Sequence, residues 1–267
     1  VAEAKELLGI CAEAARRGGA VLRERFGGAR TVELKGGRDL VTDADRASEE
    51  VVLGFLAREA PGAAVLAEES GASGAAAGGI RFFVDPLDGT TNYAHGVPHF
   101  AVTVGAADGA GLAAGATLDP LRGELWTAAR GAGAFLGEAR VRCGDRADLR
   151  SALLATGFPA DLHEEDGLPL RLFGAFVARS RAVRRFGAAA LDLAWVASGR
   201  FDGFWEAKLA PWDLAAGVLI AREAGARVTD MDGGDAILET GDVVAAPPAL
   251  APRLLEVIAA ARRARGP

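Results

Sequence analysis

Two aspartates stand three residues apart in the stretch VDPLDGTTNYAHG, residues 84–96. A hydrophobic run ends at Asp85, and Pro86 and Gly89 enforce a turn that returns Asp88 to the side of Asp85. Two carboxylates held so close repel each other unless a cation lies between them. Hard oxygen ligands of this kind select Mg²⁺ or Mn²⁺ over zinc. Behind the turn, the N–H groups of Gly89 and Thr90 open a short helix and offer a cradle for phosphate oxygens. The plainer alternative is a capped strand-to-helix turn, and this motif by itself leaves both readings open.

Further carboxylates lie elsewhere in the chain. Glu68 and Glu69 follow a short apolar strand in VLAEES. Asp213, in PWDLAAG, stands at a helix start, where an N-cap is its simplest role. Asp39, Asp43 and Asp45, in RDLVTDAD, surround another helix start, where a structural role is more strongly indicated. Imidazole and thiol chemistry is poorly represented. His95 and His99 are four apart, but Gly96 and Pro98 break the segment, which argues against an HExxH-type zinc site. His163 sits among acids in a loop and reads as solvated. Trp195, Trp205 and Trp212 read as core or pocket wall, and Arg184 or Arg185 is available to pair with an acid near the site or across a subunit interface.

The elements that must position these groups follow from periodicity. Leu7, Leu8, Cys11, Ala14, Ala15, Val21 and Leu22 recur at helical spacing and predict an amphipathic helix over 3–26. GGARTVELKGGRD reads as a hairpin or loop, and a second helix runs from about Ala44 to Ala60, stopping before Pro61-Gly62. Strands are predicted at Ala64–Leu66, Ile80–Val84, Phe100–Ala107, Ala113–Asp119 and Gly123–Ala129, with GASGAAAGG as an exposed connection. Beyond residue 145 strand and helix alternate. Helices are expected around 165–178 and over Ala188–Ser198, Trp212–Ala224 and Pro248–Arg265. This divides the chain into an α+β half, 1–144, carrying most of the acidic motifs, and an α/β half, 145–267, joined as one compact unit.

Composition narrows the function. A net charge of −6 argues against a nucleic-acid binder working through a broad basic surface. An acidic protein with an anionic substrate must concentrate positive charge locally, and a metal ion does so compactly. The two cysteines, Cys11 and Cys143, lack CxxC spacing, so a reducing cytoplasm is the expected setting. Charges interrupt every short apolar run near the N-terminus, and the longest near-apolar stretch, Leu214–Ala221, is far shorter than the roughly 20 residues a membrane span needs.

Taken together, DLVTDAD, EES, DPLDGTTN, RRFGAAALD, DGFWE and WDLAAG occur in the order and spacing of the inositol monophosphatases, and the chain resembles that family over roughly residues 5–245. The resemblance implies a layered αβαβα sandwich of the metal-dependent, lithium-sensitive sugar-phosphatase type. It implies Mg²⁺ as cofactor, two or three ions per site, with Mn²⁺ as a substitute. Glu68, Asp85 and the Leu87 carbonyl would hold the first ion, and Asp85, Asp88 and Asp213 the second. Asp45 would contribute to a weaker third site, largely through water. Glu68, with Thr90 and Asp45, would orient and deprotonate the attacking water, and Glu69 would support the site. Leu87, Asp88, Gly89, Thr90, Gly187, Ala188, Glu206 and Asp213 would bind substrate, with Gly187 and Ala188 beside a sugar-like ring and Glu206 accepting from its hydroxyls. The implied reaction is hydrolysis of a small polyol's phosphate monoester, foremost myo-inositol monophosphate, by metal-activated water. Histidinol-phosphate phosphatase and fructose-1,6-bisphosphatase are the nearest alternatives. The implied assembly is a homodimer with no membrane or direct nucleic-acid partner. Some bacterial relatives bind transcription machinery through another surface, which makes such a role, beside a retained phosphatase site, the alternative of a different class.

Overall fold

Leu7, Cys11, Ala14, Ala15 and Leu22 form the buried face of the first helix, α1 (Ala2–Arg25), as their spacing predicts. The computed structural model describes residues 2–28, 31–36, 39–75, 79–159, 162 and 167–264. The glycine-rich segment after α1 is a hairpin of β1 (Val32–Gly36) and β2 (Asp39–Thr42). Helix α2 (Asp43–Glu59) starts on a capping box: Thr42 Oγ1 accepts from the N–H groups of Ala44 and Asp45, while the Asp45 carboxylate accepts from the Thr42 N–H.

Eight strands follow, built from residues 64–141: β3 (Ala64–Ala67), β4 (Gly71–Ser73), β5 (Arg81–Asp88), β6 (Ala101–Asp108), β7 (Gly111–Asp119), β8 (Glu124–Ala129), β9 (Gly133–Leu136) and β10 (Ala139–Val141). They form one sheet in the order β10-β9-β8-β7-β6-β5-β3-β4, with only β3 and β5 parallel. A short helix, α3 (Thr90–Ala94), interrupts the sequence after β5. The second sheet, in the order β12-β11-β13-β15-β14, uses β11 (Leu153–Thr156), β12 (Ala182–Arg184), β13 (Gly203–Glu206), β14 (Arg227–Thr229) and β15 (Val243–Ala246).

Helices α1 and α2 cover one face of the large sheet. Helices α5 (Ala189–Ala197) and α6 (Pro211–Glu223) cover the other and also meet the second sheet, whose far side carries α4 (Leu168–Val177) and α8 (Ala251–Arg263). A short α7 (Ile237–Thr240) packs on α6. The layers therefore run helix, sheet, helix, sheet, helix. This is the αβαβα sandwich the resemblance implies. No described helix is long and apolar enough to cross a membrane.

Three departures from the sequence-based expectation have local causes. Gly71–Ser73 is paired as an edge strand, because a tight turn at Glu68–Ser70 folds it back on β3. Strands β9 and β10 are short and glycine-flanked, so they carry little periodic signal. Strand β5 does not end at Asp85 but continues to Asp88, with Asp85 opposite Thr103 and Asp88 opposite Ala101. One extra residue is thus accommodated between them as a bulge.

The middle layer sits close against the large sheet. A Cβ on Gly105 would lie 2.8 Å from Ala215 Cβ, and one on Gly115 would lie 2.8 Å from Ala216 Cα. The paired alanines of WDLAAG thus pack α6 directly on strand backbone, which fixes where Asp213, two residues earlier, emerges. Because the obstruction at Gly115 is backbone, Gly115→Ala should destabilise the fold by about 1–3 kcal/mol. That corresponds to a fall in thermal midpoint of roughly 2–12 °C in a chain this size. An unchanged midpoint would contradict the close approach.

Candidate metal and phosphate site

The bulge in β5 is held by its own first residue. Asp85 Oδ1 accepts from the Leu87 N–H at 2.9 Å, and Ser48, buried on α2, donates its hydroxyl to the Pro86 carbonyl at 2.9 Å. Asp88 then points at the start of α5, where its Oδ2 accepts from the Ala190 N–H at 2.8 Å across 102 residues of sequence. Asp213 caps the start of α6, its Oδ2 accepting from the Ala210 N–H at 2.8 Å. Glu68 is delivered by the end of β3, its N–H donating to the Val84 carbonyl at 3.1 Å. Each of the three aspartates is thus fixed by a backbone N–H through one oxygen.

The three aspartates are perturbed in one direction. Asp85 is pushed well up, by burial first and then by the charges of Glu68, Asp88 and Asp213. Asp88 rises to about 6, through burial opposed by the backbone donors of Ala190, Ala189 and Leu191. Asp213 rises to about 8, through burial and then the charge of Asp88. Asp85 lies against Asp213, and the two carboxylates repel when both are ionised. Among the described residues no group of three or more His, Cys, Asp or Glu side chains is arranged closely enough to hold one metal ion as it stands. The donor set nevertheless fits a hard divalent cation: anionic oxygens only, mutually repelling, and buried at Asp85 and Asp88.

Two of the three catalytic residues of the sequence reading, Thr90 and Asp45, are brought together. Thr90 Oγ1 lies 3.0 Å from Asp45 Oδ1 and 3.0 Å from the Leu87 carbonyl, and its single proton can serve only one of them at a time. Asp45 Oδ2 is occupied by Thr42, accepting from its N–H at 2.8 Å and its Oγ1 at 2.5 Å. Asp45 is therefore both a capping residue and the orienter of Thr90. Asp43 turns to Arg25 and to the Thr31 N–H, away from this cluster.

On the other side, Gly89 adopts φ +92°, and a Cβ there would meet the carbonyls of His99 at 3.1 Å and Gly187 at 3.2 Å. Asn92 clamps the same junction, donating to the carbonyls of His99 at 2.8 Å and Phe186 at 2.7 Å. Gly187 and Ala188 therefore lie beside the DPLDGT turn. Glu206, at the end of β13, is buried, and its carboxyl is pushed up to about 8 by burial and then by the charges of Asp213 and Asp88, with the Arg185 guanidinium opposing. Arg184 is exposed and donates to its neighbouring Val183 carbonyl.

Four residues near the site had no assigned role. Glu49 accepts from the Glu69 N–H at 2.9 Å and steadies the turn that carries Glu68; its signal is a carboxylate on the apolar face of α2. Asn92 was visible only as part of a motif. Asp192 is a buried carboxyl with no donor to either oxygen among the described residues, raised by burial and then by Glu206 and Asp88. Gly157 is treated below. His99 packs against Phe186 and Trp195 in a ring cluster, Trp205 is buried on Phe176, and His163 lies outside the described residues.

These shifts have a pH signature. A carboxyl raised from 3.8 to about 8, as Asp213 is, leaves the folded chain holding more protons than the unfolded one across that interval. Its contribution to stability is full below about pH 4 and is lost as the pH rises towards 8. In chelator, thermal unfolding should therefore occur at a lower temperature at pH 8 than at pH 5.5, and Asp213→Asn should flatten that slope. An equal slope in the variant would contradict the assignment.

Comparison with known proteins points to one family. The model of the Inositol monophosphatase family matches residues 3–266. An inositol-1-monophosphatase of Mesorhizobium japonicum is 41% identical over 254 residues, covering 94% of this chain and 96% of its own. A putative Nus factor SuhB of Neisseria meningitidis serogroup B is 41% identical over 250 residues, covering 93% and 96%. The crystal structure of the extragenic suppressor protein suhB from Bartonella henselae superposes with a TM-score of 0.88 at 40% identity, covering 92% of this chain and 95% of that one. With the layered fold and the acidic cluster at its centre, the chain belongs to the inositol monophosphatase family.

Proposed function

We propose that this chain is a divalent-cation-dependent phosphatase acting on the phosphate monoester of a small polyol, with myo-inositol monophosphate as the first candidate. The observation that carries the reading is the convergence of three aspartates, Asp85 and Asp88 buried and Asp213 half-buried, each tethered by backbone N–H, beside Glu68. Glu68, Asp85, Asp88, Asp213 and the Leu87 carbonyl would hold Mg²⁺ or Mn²⁺, with Asp45 near a weaker site. When bound, such ions supply neutralisation of the phosphate charge and a lowered pKa for the attacking water.

The chain's own groups account for orientation and proton transfer. The Thr90 hydroxyl donates to Asp45 or to the Leu87 carbonyl, which leaves the Thr90 oxygen free to accept from a water. Glu68 receives that water's other proton as the water oxygen attacks phosphorus in line, without a covalent enzyme intermediate. The ester P–O bond breaks, and the departing alkoxide takes a proton from a solvent water. The Gly89 and Thr90 N–H groups, at the start of α3, face the phosphate oxygens. Glu206 accepts from ring hydroxyls, and Ala188, with only a methyl group, leaves room for the ring. Lithium inhibition and a homodimer belong to the same reading.

A second reading is favoured by the Nus factor names of relatives such as the Neisseria protein. It is a transcription-machinery binding role alongside the phosphatase site, and copurification with transcription factors is its test.

The phosphatase reading is tested by a substrate panel with and without Mg²⁺. Turnover should require the cation, and Asp88→Asn should lower kcat by at least about 100-fold, since each decade is 1.4 kcal/mol and a metal clamp supplies several. The variant should stay folded, because removing one charge relieves repulsion in the metal-free cluster. Near-normal Mg²⁺-dependent turnover in Asp88→Asn would contradict the reading.

A further inference from the structure

Glu206 is the carboxylate proposed to read the ring hydroxyls, and its neighbours show how it is held. Its backbone lies in β13, paired with Val243 of β15. One position earlier, the Trp205 carbonyl accepts from Thr156 Oγ1 at 2.7 Å, pinning β13 to β11. Two positions later, Lys208 takes φ +62°, a left-handed conformation that is strained for a lysine. The backbone of Glu206 is thus confined on both sides, so any adjustment falls on its side chain.

That side chain rests on a glycine. A Cβ placed on Gly157, the residue after β11, would lie 2.0 Å from Glu206 Oε1, 2.2 Å from Oε2 and 2.3 Å from Cδ. No real side chain tolerates such distances, and all three atoms belong to the mobile end of a glutamate. The φ of Gly157 is not in the left-handed region, so backbone conformation does not require glycine here. A cavity of about 160 Å³, lined in part by Thr156, Gly157, Leu172, Trp205, Glu206 and Met231, adjoins the carboxylate and could receive it if displaced.

We infer that Gly157 is a positioning residue for substrate selection: its missing side chain is the space in which the Glu206 carboxylate rests, and any Cβ there moves that carboxylate off the polyol ring. The inference rests on the reading above, in which Glu206 faces the alcohol part of the substrate. It assigns Gly157 no contact with phosphate, cation or attacking water.

A double-mutant cycle tests it. The kcat/KM of the full-length protein with Mg²⁺ would be measured for inositol monophosphate and for p-nitrophenyl phosphate, which has no hydroxyls to read. The ratio of the two is compared in wild type, Gly157→Ala, Glu206→Ala and the double variant. Gly157→Ala should lower the ratio about 5- to 150-fold, the range for a lost buried hydrogen-bond partner, chiefly by raising KM for inositol monophosphate. In the Glu206→Ala background the same change should lower it by less than about 2-fold, because the group it acts through is gone. A wild-type ratio in Gly157→Ala, or an equal loss in both backgrounds, would overturn the inference. Should Gly157→Ala fail to fold, the double variant should regain the fold; failure of both to fold would overturn the inference too. If Glu206→Ala alone leaves the ratio unchanged, the polyol reading itself is wrong, and the inference falls with it.

Discussion

Mutual repulsion among buried carboxylates is the constraint to which the rest of this structure answers. Asp85 and Asp88 are buried by the surrounding layers and Asp213 is half-buried, positions that disfavour charge on every one of them. Left to local preference, such groups would turn to solvent. They stay because each is tied to a backbone N–H belonging to the start of an element or to a bulge: Leu87 within β5, Ala190 at the head of α5, Ala210 at the head of α6. Two of these donors come from helix starts, where unpaired N–H groups and the helix dipole favour an anion. The repulsion that Glu68, Asp88 and Asp213 exert on Asp85 marks where positive charge is still needed.

The fold can be understood as the means of bringing those donors to one place. Helices α5 and α6 lie between two sheets, so their starts can face the end of β5 only if they pack tightly against strand backbone. Gly105 and Gly115 on the sheet side, and Ala215 and Ala216 on the helix side, remove the side chains that would otherwise separate them. Gly217 does the same between the two helices, where a Cβ would lie 2.7 Å from Leu193. Asn92 and Gly89 complete the junction by locking α3 to the segment that enters α5. Small residues in the motifs thus act on geometry, and the acidic residues beside them act on charge.

Much of this was legible in the sequence because the chemistry is concentrated in short motifs. DPLDGTTN, WDLAAG and DLVTDAD each contain a turn or cap signal next to a carboxylate, so both local structure and candidate ligand could be read at once. Glu68, Thr90 and Asp45 were named together, and the structure places Thr90 against Asp45. What stayed hidden depends on contacts between distant segments. The continuation of β5 past Asp85 is decided by pairing with β6, not by Pro86. The edge strand β4 has too few side chains to show a period. Glu49 and Asp192 are acids on otherwise buried helical faces, a signal easily passed over without a partner in view. Gly157 carries no local signal at all, since its reason for being glycine is a side chain 49 residues further along.

The central claim is that the buried carboxylates retain protons only for want of a cation. Titration of the metal-free protein with Mn²⁺, followed by calorimetry at pH 7 in buffers of different ionisation enthalpy, counts ions bound and protons released together. The account predicts saturable binding accompanied by release of protons, and a smaller release with weaker binding in Asp85→Asn. Binding without proton release, or equal binding and release in Asp85→Asn, would contradict it.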